Sequence, residues 1–367
     1  MTDSLLKIAK EFNTASPVTG VEPLGTGFIN ETFIASTDNP SERYILQKKN
    51  KSIFPEVPAM MDNILAVTAH IRKKVEEAGG DPGREVLSVV MSKDGKPFFM
   101  DDEGEYWTVC KYIEDSVTYE RADSPELAYK GGKGIGRFQA LLADFDSELA
   151  ETIKGFHNIR HRFAQWDASL ARDAAGRVKS LAREIEWIES RRDEMLEFWQ
   201  LVEQGVIPRR VTHNDTKISN ILFDKQGEVL CVIDLDTVMS STSLNDFGDA
   251  IRSYANTGAE DDKDLENVSL DLETFREYTR GFLEERAGTL TTSELDHLAF
   301  AARYITYEQV LRFLIDYIDG DTYYKTLYPD HNLVRTHAQY KLLQSMEQQY
   351  PEMVSIVRTL KNNNNIT

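Results

Sequence analysis

The segment His213-Asn-Asp-Thr-Lys-Ile-Ser-Asn220 decides how this sequence is interpreted, and the segment Val229-Leu-Cys-Val-Ile-Asp234 completes it. The turn-forming residues Asp224-Lys-Gln-Gly227 separate two short apolar runs, which predicts a loop followed by a β-hairpin. The two outer ends of a hairpin lie side by side. We therefore expect the loop residue Asn220 and the strand-end residue Asp234 to come together in the folded chain.

The side chains of this loop and hairpin have the chemistry that phosphoryl transfer needs. A metal ion that bridges the β- and γ-phosphates of ATP requires hard oxygen ligands, which Asn220 and Asp234 can supply to Mg²⁺. A carboxylate must also orient the acceptor hydroxyl and take its proton, and Asp215 suits that role of catalytic base. The alternative is that His213 and Asp215 only cap a turn, but a turn would not need the other two residues. We expect His213 to be a scaffold residue rather than an acid or a base.

Outward from this segment, the chain divides into a strand-rich part and a helix-rich part. Before residue 113 the patterns predict a mostly antiparallel sheet with one inserted helix, with the helix over 60–77 and strands over 44–49, 85–91, 98–100 and 106–113. From Ser124 onward, long amphipathic helical patterns run to about residue 360, interrupted only by the loop and hairpin.

Together, the loop and the order of the two parts resemble the aminoglycoside phosphotransferase and choline kinase superfamily, whose loop H-x-D-x-x-x-x-N matches His213, Asp215 and Asn220. The resemblance implies an α+β, protein-kinase-like two-lobed fold, with a small antiparallel β lobe and a larger, mainly helical lobe. It implies an N-terminal nucleotide-binding lobe over 1–113 with a hinge near 110–114, and a C-terminal catalytic and substrate-binding lobe over 114–367. ATP would be the phosphoryl donor and Mg²⁺ the cofactor.

Two segments look like metal or nucleotide motifs but are predicted to be structural. Asp246-Phe-Gly248 spells the metal-binding DFG of protein kinases, but Asp234 already fills the position after the hairpin. We expect Asp249, nearby, to hold the catalytic loop through hydrogen bonds. Gly131-Gly-Lys-Gly-Ile-Gly136 lacks the G-K-[ST] ending of a phosphate-binding loop. Two of its glycines fall four residues apart on one helix face, which predicts close packing between helices.

The candidate nucleotide contacts lie in the strand-rich part. The turn over 24–30 falls where kinases place a glycine-rich turn above the phosphates, although an ordinary hairpin would carry the same pattern. In the next strand, the register puts Gln47 at the place of the usual phosphate-binding lysine, with Lys48 and Lys49 beside it. The sequence leaves open which of these three side chains meets the phosphates. The predicted nucleotide contacts are Gly25, Gly27, Phe28, Gln47, Lys111 and Tyr112.

Longer stretches of the sequence indicate which molecule accepts the phosphoryl group. Gly25-Thr-Gly-Phe-Ile-Asn30, Arg43-Tyr-Ile-Leu-Gln47 and Arg312-Phe-Leu-Ile-Asp-Tyr-Ile-Asp-Gly-Asp321 resemble the N-acetylhexosamine 1-kinases. This resemblance implies transfer to the anomeric C1 hydroxyl of N-acetylglucosamine or N-acetylgalactosamine. A guanidinium can clamp several sugar oxygens, and an aromatic ring can cover an apolar sugar face. The predicted substrate contacts are Asp215, Arg312, Tyr323 and Asp236.

Three alternatives to this interpretation stay open on the sequence. Arg312 could form a structural ion pair with Asp316, one helical turn further on. The acceptor could be an aminoglycoside, choline or homoserine, in a pocket whose carboxylates face the amine. A third possibility is a non-catalytic, pseudokinase-like binding module, against which the intact set of Asp215, Asn220 and Asp234 argues.

The composition excludes several classes of protein. A net charge of −19 and a pI near 4.9 disfavour nucleic acids and anionic membranes as partners, because their phosphates would be repelled. The two cysteines, Cys110 and Cys231, are far apart and indicate a reducing compartment without a disulfide framework. No secretory or membrane-spanning pattern is evident, so we expect a cytoplasmic enzyme that binds ATP and a small sugar, with no obligate protein partner.

Overall fold

The computed structural model describes residues 2–25, 29–286 and 288–363. The chain forms two compact units, and each combines segments that are distant in sequence. The first unit comprises 1–118, 141–154 and 220–240, and the second comprises 119–140, 155–219 and 241–367. The first contains a small antiparallel sheet and the second is mainly helical, which confirms the predicted α+β fold class. The assignment of nucleotide binding to 1–113 and of catalysis to 114–367 stays a prediction.

The first unit is built on an antiparallel sheet of six strands. Its strands are β1 (Val18–Pro23), β2 (Glu31–Thr37), β3 (Arg43–Lys48), β4 (Val89–Val90), β5 (Phe99–Met100) and β6 (Tyr106–Lys111). The order is β1-β2-β3-β6-β4, and β5 also pairs with β6. The register sets Phe33 opposite Leu46 and Ala35 opposite Tyr44. These four side chains are buried in one cluster with helix α1 (Thr2–Ala9), because alternate residues of a strand share a face.

Two of the predicted elements differ from the structure. The inserted helix α2 spans Val57–Glu77, three residues longer at its start than the pattern indicated, with Pro58 in its first turn. The strand predicted over 85–91 is wrong for its first half, since only Val89–Val90 is a strand and Pro82–Glu85 forms the short helix α3. Asp81 caps this helix by accepting a hydrogen bond from the Gly83 amide at 2.9 Å. Its cap and the proline after it favour a helical turn over a strand at this point.

The predicted hairpin is present and belongs to the first unit. Strands β8 (Ile221–Phe223) and β9 (Val229–Val232) pair antiparallel. Gly227 has a φ of 80°, which a turn tolerates best in glycine, and its amide donates to the Asp224 carbonyl at 2.9 Å. Phe223 also exchanges two main-chain hydrogen bonds with Val117, so the hairpin is tied to the segment that follows the sheet.

The second unit is organised around one long buried helix. Its helices include α4 (Pro125–Leu141), α5 (Ile159–Arg172), α6 (Ala182–Glu189), α7 (Arg192–Glu203), α8 (Ser243–Tyr254), α9 (Leu272–Arg286), α10 (Thr292–Asp319), α11 (His331–Gln348) and α12 (Tyr350–Asn363). Short strands β7 (Arg210–Thr212) and β10 (Met239–Ser241) flank the hairpin in sequence. Helix α10 contacts α5, α8, α11 and α12. Within the described residues, no helix combines the length and the apolar character that crossing a membrane requires.

Candidate active site

Two carboxylates of helix α8 hold the predicted catalytic loop. Asp246 accepts hydrogen bonds from the amides of His213 at 3.0 Å and Asn214 at 2.7 Å, and Asp249 accepts one from the Thr216 amide at 2.8 Å. The expected structural role of Asp249 is therefore confirmed, and the D-F-G residues contain a second loop anchor rather than a metal ligand. Burial raises the pKa of Asp246, against the effect of these hydrogen bonds.

Asp215 lies within this anchored loop, between the anchored residues Asn214 and Thr216. Its amide donates to Nδ1 of His213 at 3.2 Å, so this nitrogen of the buried imidazole is the acceptor. His213 therefore supports the loop, as the sequence led us to expect. The Asp215 carboxylate lies 3.0 Å from the ammonium of Lys217. Lys217 is a partner of Asp215 that the sequence did not predict, and its place two residues after Asp215 was the available signal.

The hairpin brings the two predicted metal ligands together within the first unit. The Ile233 amide donates to the Asn220 carbonyl at 2.9 Å, which places Asn220 beside the strand end that leads into Asp234. Asp234 is exposed and has a left-handed backbone with a φ of 58°. A non-glycine residue held in this region commonly marks a functional position. One carboxylate and one amide oxygen are hard donors that fit Mg²⁺.

Asp236 has partners that the sequence did not indicate. Both of its carboxylate oxygens accept hydrogen bonds from Nζ of Lys49 at 2.8 Å, and one also accepts from Nδ2 of Asn30 at 2.7 Å. The Lys49 and Asp236 side chains are 3% and 7% exposed, so the ion pair is almost fully removed from water. Asp236 is therefore the partner of Lys49, and its predicted substrate contact stays a prediction.

The same network separates the three candidates on strand β3. Lys48 lies at the surface, where its ammonium is 3.8 Å from Glu31 and 3.6 Å from Glu105. Lys49 is buried beside Asp236, and it also donates to Oε1 of Gln47 at 2.8 Å. Gln47 is therefore part of the network, while Lys49 carries its positive charge.

The other predicted nucleotide contacts are distributed over the sheet. Gly25 has a φ of 64°, a backbone conformation that glycine adopts at low cost because it has no Cβ. Gly27 and Phe28 lie outside the described residues. The amides of Lys111 and Tyr112 donate to the carbonyls of Ser88 and Arg43 at 2.8 and 2.9 Å. Any nucleotide contact by these two residues would have to use their carbonyls or side chains, because their amide hydrogens are already bonded.

Arg312 and Tyr323 come together in the second unit. The Arg312 guanidinium lies 5.3 Å from the ring of Phe156 and 5.7 Å from that of Tyr324, and Nη1 donates to Gln309 at 3.3 Å. Tyr323 is 49% exposed, and its ring packs edge-on against Tyr324 with 4.8 Å between centroids. This arrangement leaves an aromatic face accessible next to a guanidinium.

Asp316 does not form the ion pair with Arg312 that the alternative required. Its carboxylate accepts hydrogen bonds from the amides of Thr322, Tyr323 and Tyr324 at 2.8, 2.7 and 3.0 Å, and from Nδ2 of Asn332 at 2.8 Å. These bonds satisfy both oxygens. Asp316 therefore holds the segment that carries the two tyrosines, and Arg312 stays available for another partner.

The surroundings of Arg312 have an excess of positive charge. Glu308 is buried and accepts from Nδ1 of His157 at 2.5 Å, and Arg162 lies 3.4 Å from its other oxygen. Burial opposes ionisation of Glu308, but the cations His157, Arg162 and Arg312 outweigh it and lower the pKa of Glu308 to about 2. Burial and the neighbouring Arg312 lower the pKa of Arg162, against the effect of Glu308. One carboxylate thus faces two guanidinium groups.

The glycine-rich segment 131–136 lies inside helix α4 and does not form a phosphate-binding loop. A Cβ added at Gly132 would lie 2.2 Å from the carbonyl oxygen of Tyr278, and one at Gly136 would lie 2.8 Å from that of Phe282. Both contacts are with the backbone of helix α9. The prediction of close helix packing is confirmed.

The family model for phosphotransferase enzymes matches residues 20–281 of the 367 in the chain. The chain belongs to the phosphotransferase enzyme family. Solved structures agree in fold over almost the whole chain. A microcompartment-associated aminopropanol kinase has 15% identity and a TM-score of 0.61, covering 96% of this chain and 98% of that one.

Two further phosphotransferase structures are similar at lower identity. A spectinomycin phosphotransferase, solved with ADP and spectinomycin, has 12% identity and a TM-score of 0.57, with 98% of each chain covered. An ethanolamine kinase from Plasmodium vivax has 12% identity and a TM-score of 0.56, covering 91% of this chain and 84% of that one. At these identities the likeness establishes the fold that this family member shares with them.

Proposed function

We propose that the chain is an ATP-dependent kinase that phosphorylates the anomeric C1 hydroxyl of an N-acetylhexosamine, N-acetylglucosamine or N-acetylgalactosamine, to the sugar 1-phosphate. The observation that carries the proposal is the charge around Arg312. Two guanidinium groups share the single carboxylate of Glu308, and a half-exposed tyrosine lies next to them. Such a surface suits hydroxyl and amide oxygens and repels the amines of aminoglycosides and amino alcohols.

In this proposal Asp215 orients the sugar hydroxyl and takes its proton, while Lys217 balances the charge of Asp215. Asn220 and Asp234 hold Mg²⁺, which when bound would neutralise negative charge on the phosphates of ATP. Lys49 is the small-unit cation that we assign to the phosphates, with Asp236 and Gln47 fixing its position. The ADP in the spectinomycin phosphotransferase structure supports ATP as the donor.

Release of ADP from ATP, measured with a panel of acceptors, tests the choice of substrate. We expect turnover with N-acetylglucosamine or N-acetylgalactosamine to exceed turnover with choline, ethanolamine and spectinomycin by at least about tenfold, because the guanidinium groups of Arg162 and Arg312 would repel an amine. Glucose and galactose are included to test the preference for the N-acetyl group. Comparable or faster turnover with an amine would move the chain to the alternative, a kinase for aminoglycoside, choline or homoserine acceptors. ADP release without any acceptor is the background control.

Asp215→Asn tests the catalytic assignment. We expect kcat to fall by about 10²–10⁴-fold, because proton transfer is lost while the side chain keeps its size. The Kd for ATP, measured by titration calorimetry, should stay within about twofold, since no nucleotide contact is assigned to this residue. A collapse of ATP affinity, or an unchanged kcat, would remove Asp215 from the role of base.

A further inference from the structure

The peptide bond that joins Asn214 to Asp215 is held at both of its polar ends. Its N–H, on Asp215, donates to Nδ1 of His213 at 3.2 Å. Its carbonyl, on Asn214, lies 3.2 Å from Nε2 of His157. Asn214 itself has a left-handed backbone with a φ of 67°, which is uncommon for a residue other than glycine. The plane of this peptide, and hence the direction of the Asp215 side chain, depends on two imidazoles.

Both ring nitrogens of His157 face groups that accept hydrogen bonds. Nε2 faces the Asn214 carbonyl, and Nδ1 faces the carboxylate of Glu308 at 2.5 Å. A carbonyl and an ionised carboxylate can only accept hydrogen bonds, so this geometry uses the ring nitrogens as donors. His157 is 3% exposed, so both contacts lie away from water.

His157 is also placed at a cost to the backbone. Its φ is 54°, a left-handed value that residues with a Cβ rarely adopt. The residue immediately precedes Asn158, the cap of helix α5, and its carbonyl accepts a hydrogen bond from the Tyr304 hydroxyl at 3.0 Å. Glycine would fit this backbone better, so histidine stands here against the conformational preference of the position.

We propose that His157 and Glu308 form a positioning dyad, which fixes the peptide before Asp215 and links it to the arginines of the acceptor pocket. The inference rests on the proposed function, because it assumes that Asp215 is the catalytic base. Glu308 contacts His157 through one oxygen and Arg162 through the other. Arg312 also interacts electrostatically with this carboxylate, so a sugar that engages Arg312 would be coupled to the group that orients the catalytic loop.

The experiment uses the whole chain and the variants His157→Gly, Glu308→Gln and their combination. His157→Gly relieves the backbone at a positive φ and leaves a space the size of imidazole. We expect kcat to fall about a hundredfold with the KM for ATP within about twofold, because misplacing a reacting group by about 1 Å costs rate rather than nucleotide binding. Added imidazole should restore kcat at least tenfold. The kcat of the double variant should be no lower than that of the slower single variant, because the two residues act as one unit.

His337→Ala is the matched control, because His337 also pairs with a carboxylate of the second unit, Glu184, at 2.9 Å. It should leave kcat unchanged and show no response to imidazole. A wild-type kcat in His157→Gly, or a loss that follows the melting temperature and ignores imidazole, would overturn the dyad. Asp215→Asn, assayed in parallel, separates the two ideas. If Asp215→Asn retains full turnover, the proposed function fails and the dyad fails with it, whereas an inactive Asp215→Asn with a fully active His157→Gly overturns the dyad alone.

Discussion

At the scale of single residues, one buried ion pair stands out among the charged groups of the candidate site. Lys49 and Asp236 form an ion pair that is nearly inaccessible to water, supported by Asn30 and Gln47. A buried pair of this kind is held by geometry and by the hydrogen bonds around it, since desolvation consumes most of the attraction between the charges. Removing one member leaves the other charge buried alone.

Lys49→Met should therefore destabilise the protein by about 3–5 kcal/mol, measured as the free energy of unfolding in urea. The double variant Lys49→Met/Asp236→Asn should recover more than half of that loss, because no uncompensated charge remains. Lys48→Met is the control, since its exposed ion pairs with Glu31 and Glu105 contribute less than about 1 kcal/mol. Equal effects of the two lysine substitutions would contradict this account.

The sequence predicted the site residues unevenly at this scale, and the reason is physical. Asp215, Asn220 and Asp234 could be predicted because their spacing follows from one loop and one hairpin. The choice among Gln47, Lys48 and Lys49 stayed open, because the chain leaves strand β3 at Lys48 and the alternation of faces ends there. His157 and Glu308 were missed altogether, since 151 residues separate them and neither lies in a local motif.

At the scale of elements, helix α8 and helix α10 each use carboxylates to hold a chain segment that contains predicted site residues. Asp246 and Asp249, one helical turn apart on α8, hold the loop before and after Asp215. Asp316 on α10 holds the segment that carries Tyr323 and Tyr324. Asp249 was predicted from its place in the chain, whereas the role of Asp316 depends on a turn whose main-chain direction no side-chain pattern encodes.

Asp316→Ala should release this segment. Three amides lose their acceptor, so we expect faster hydrogen exchange over residues 322–324 and a KM for the sugar that rises about tenfold or more, with the KM for ATP unchanged. Asp319→Ala is the control, because Asp319 lies on the same helix and bonds to Ser169 and Arg172 instead. An unchanged KM for the sugar would show that the tyrosine segment does not take part in acceptor binding.

The contact between helices α4 and α9 tests the helix interpretation of the glycine-rich segment. Gly132→Ala puts a methyl group 2.2 Å from a main-chain oxygen of α9, which cannot move without shifting the helix. We expect a loss of about 1–3 kcal/mol in the free energy of unfolding. Gly20→Ala has nothing within 4 Å of the added Cβ and should change stability by less than about 0.5 kcal/mol. A neutral Gly132→Ala would mean that the two helices are further apart.

At the scale of the whole molecule, the fold class followed from the order of patterns, since strand signals precede residue 113 and helical signals follow Ser124. Which chain segments make up each of the two compact units could not be predicted from these patterns. Residues 141–154 and 220–240 belong with the sheet although they lie between helices in sequence. These segments join the sheet through tertiary contacts, which the local hydrophobic periodicity of the sequence does not reveal.

The distribution of charge is also a property of the whole chain. The protein carries a net charge of −19, with 61 acidic and 42 basic side chains. The cations assigned to substrates, Lys49 in one unit and Arg162 and Arg312 in the other, are nevertheless withdrawn from the surface. Burial protects such charges from screening by salt and from the surrounding carboxylates. Net charge alone therefore does not identify the small-molecule acceptor of this phosphotransferase.

Phosphorus NMR of the product tests directly whether the phosphate is transferred to the anomeric C1 hydroxyl of an N-acetylhexosamine. The enzyme is incubated with ATP, Mg²⁺ and either N-acetylgalactosamine or N-acetylglucosamine, and the new phosphate resonance is examined for coupling to the sugar protons. We expect ADP and a sugar phosphate whose phosphorus couples to the single anomeric proton. A phosphate on another hydroxyl would contradict the proposed sugar 1-kinase activity. So would N-acetylhexosamines that stay unreacted while parallel incubations phosphorylate an amino alcohol or an aminoglycoside.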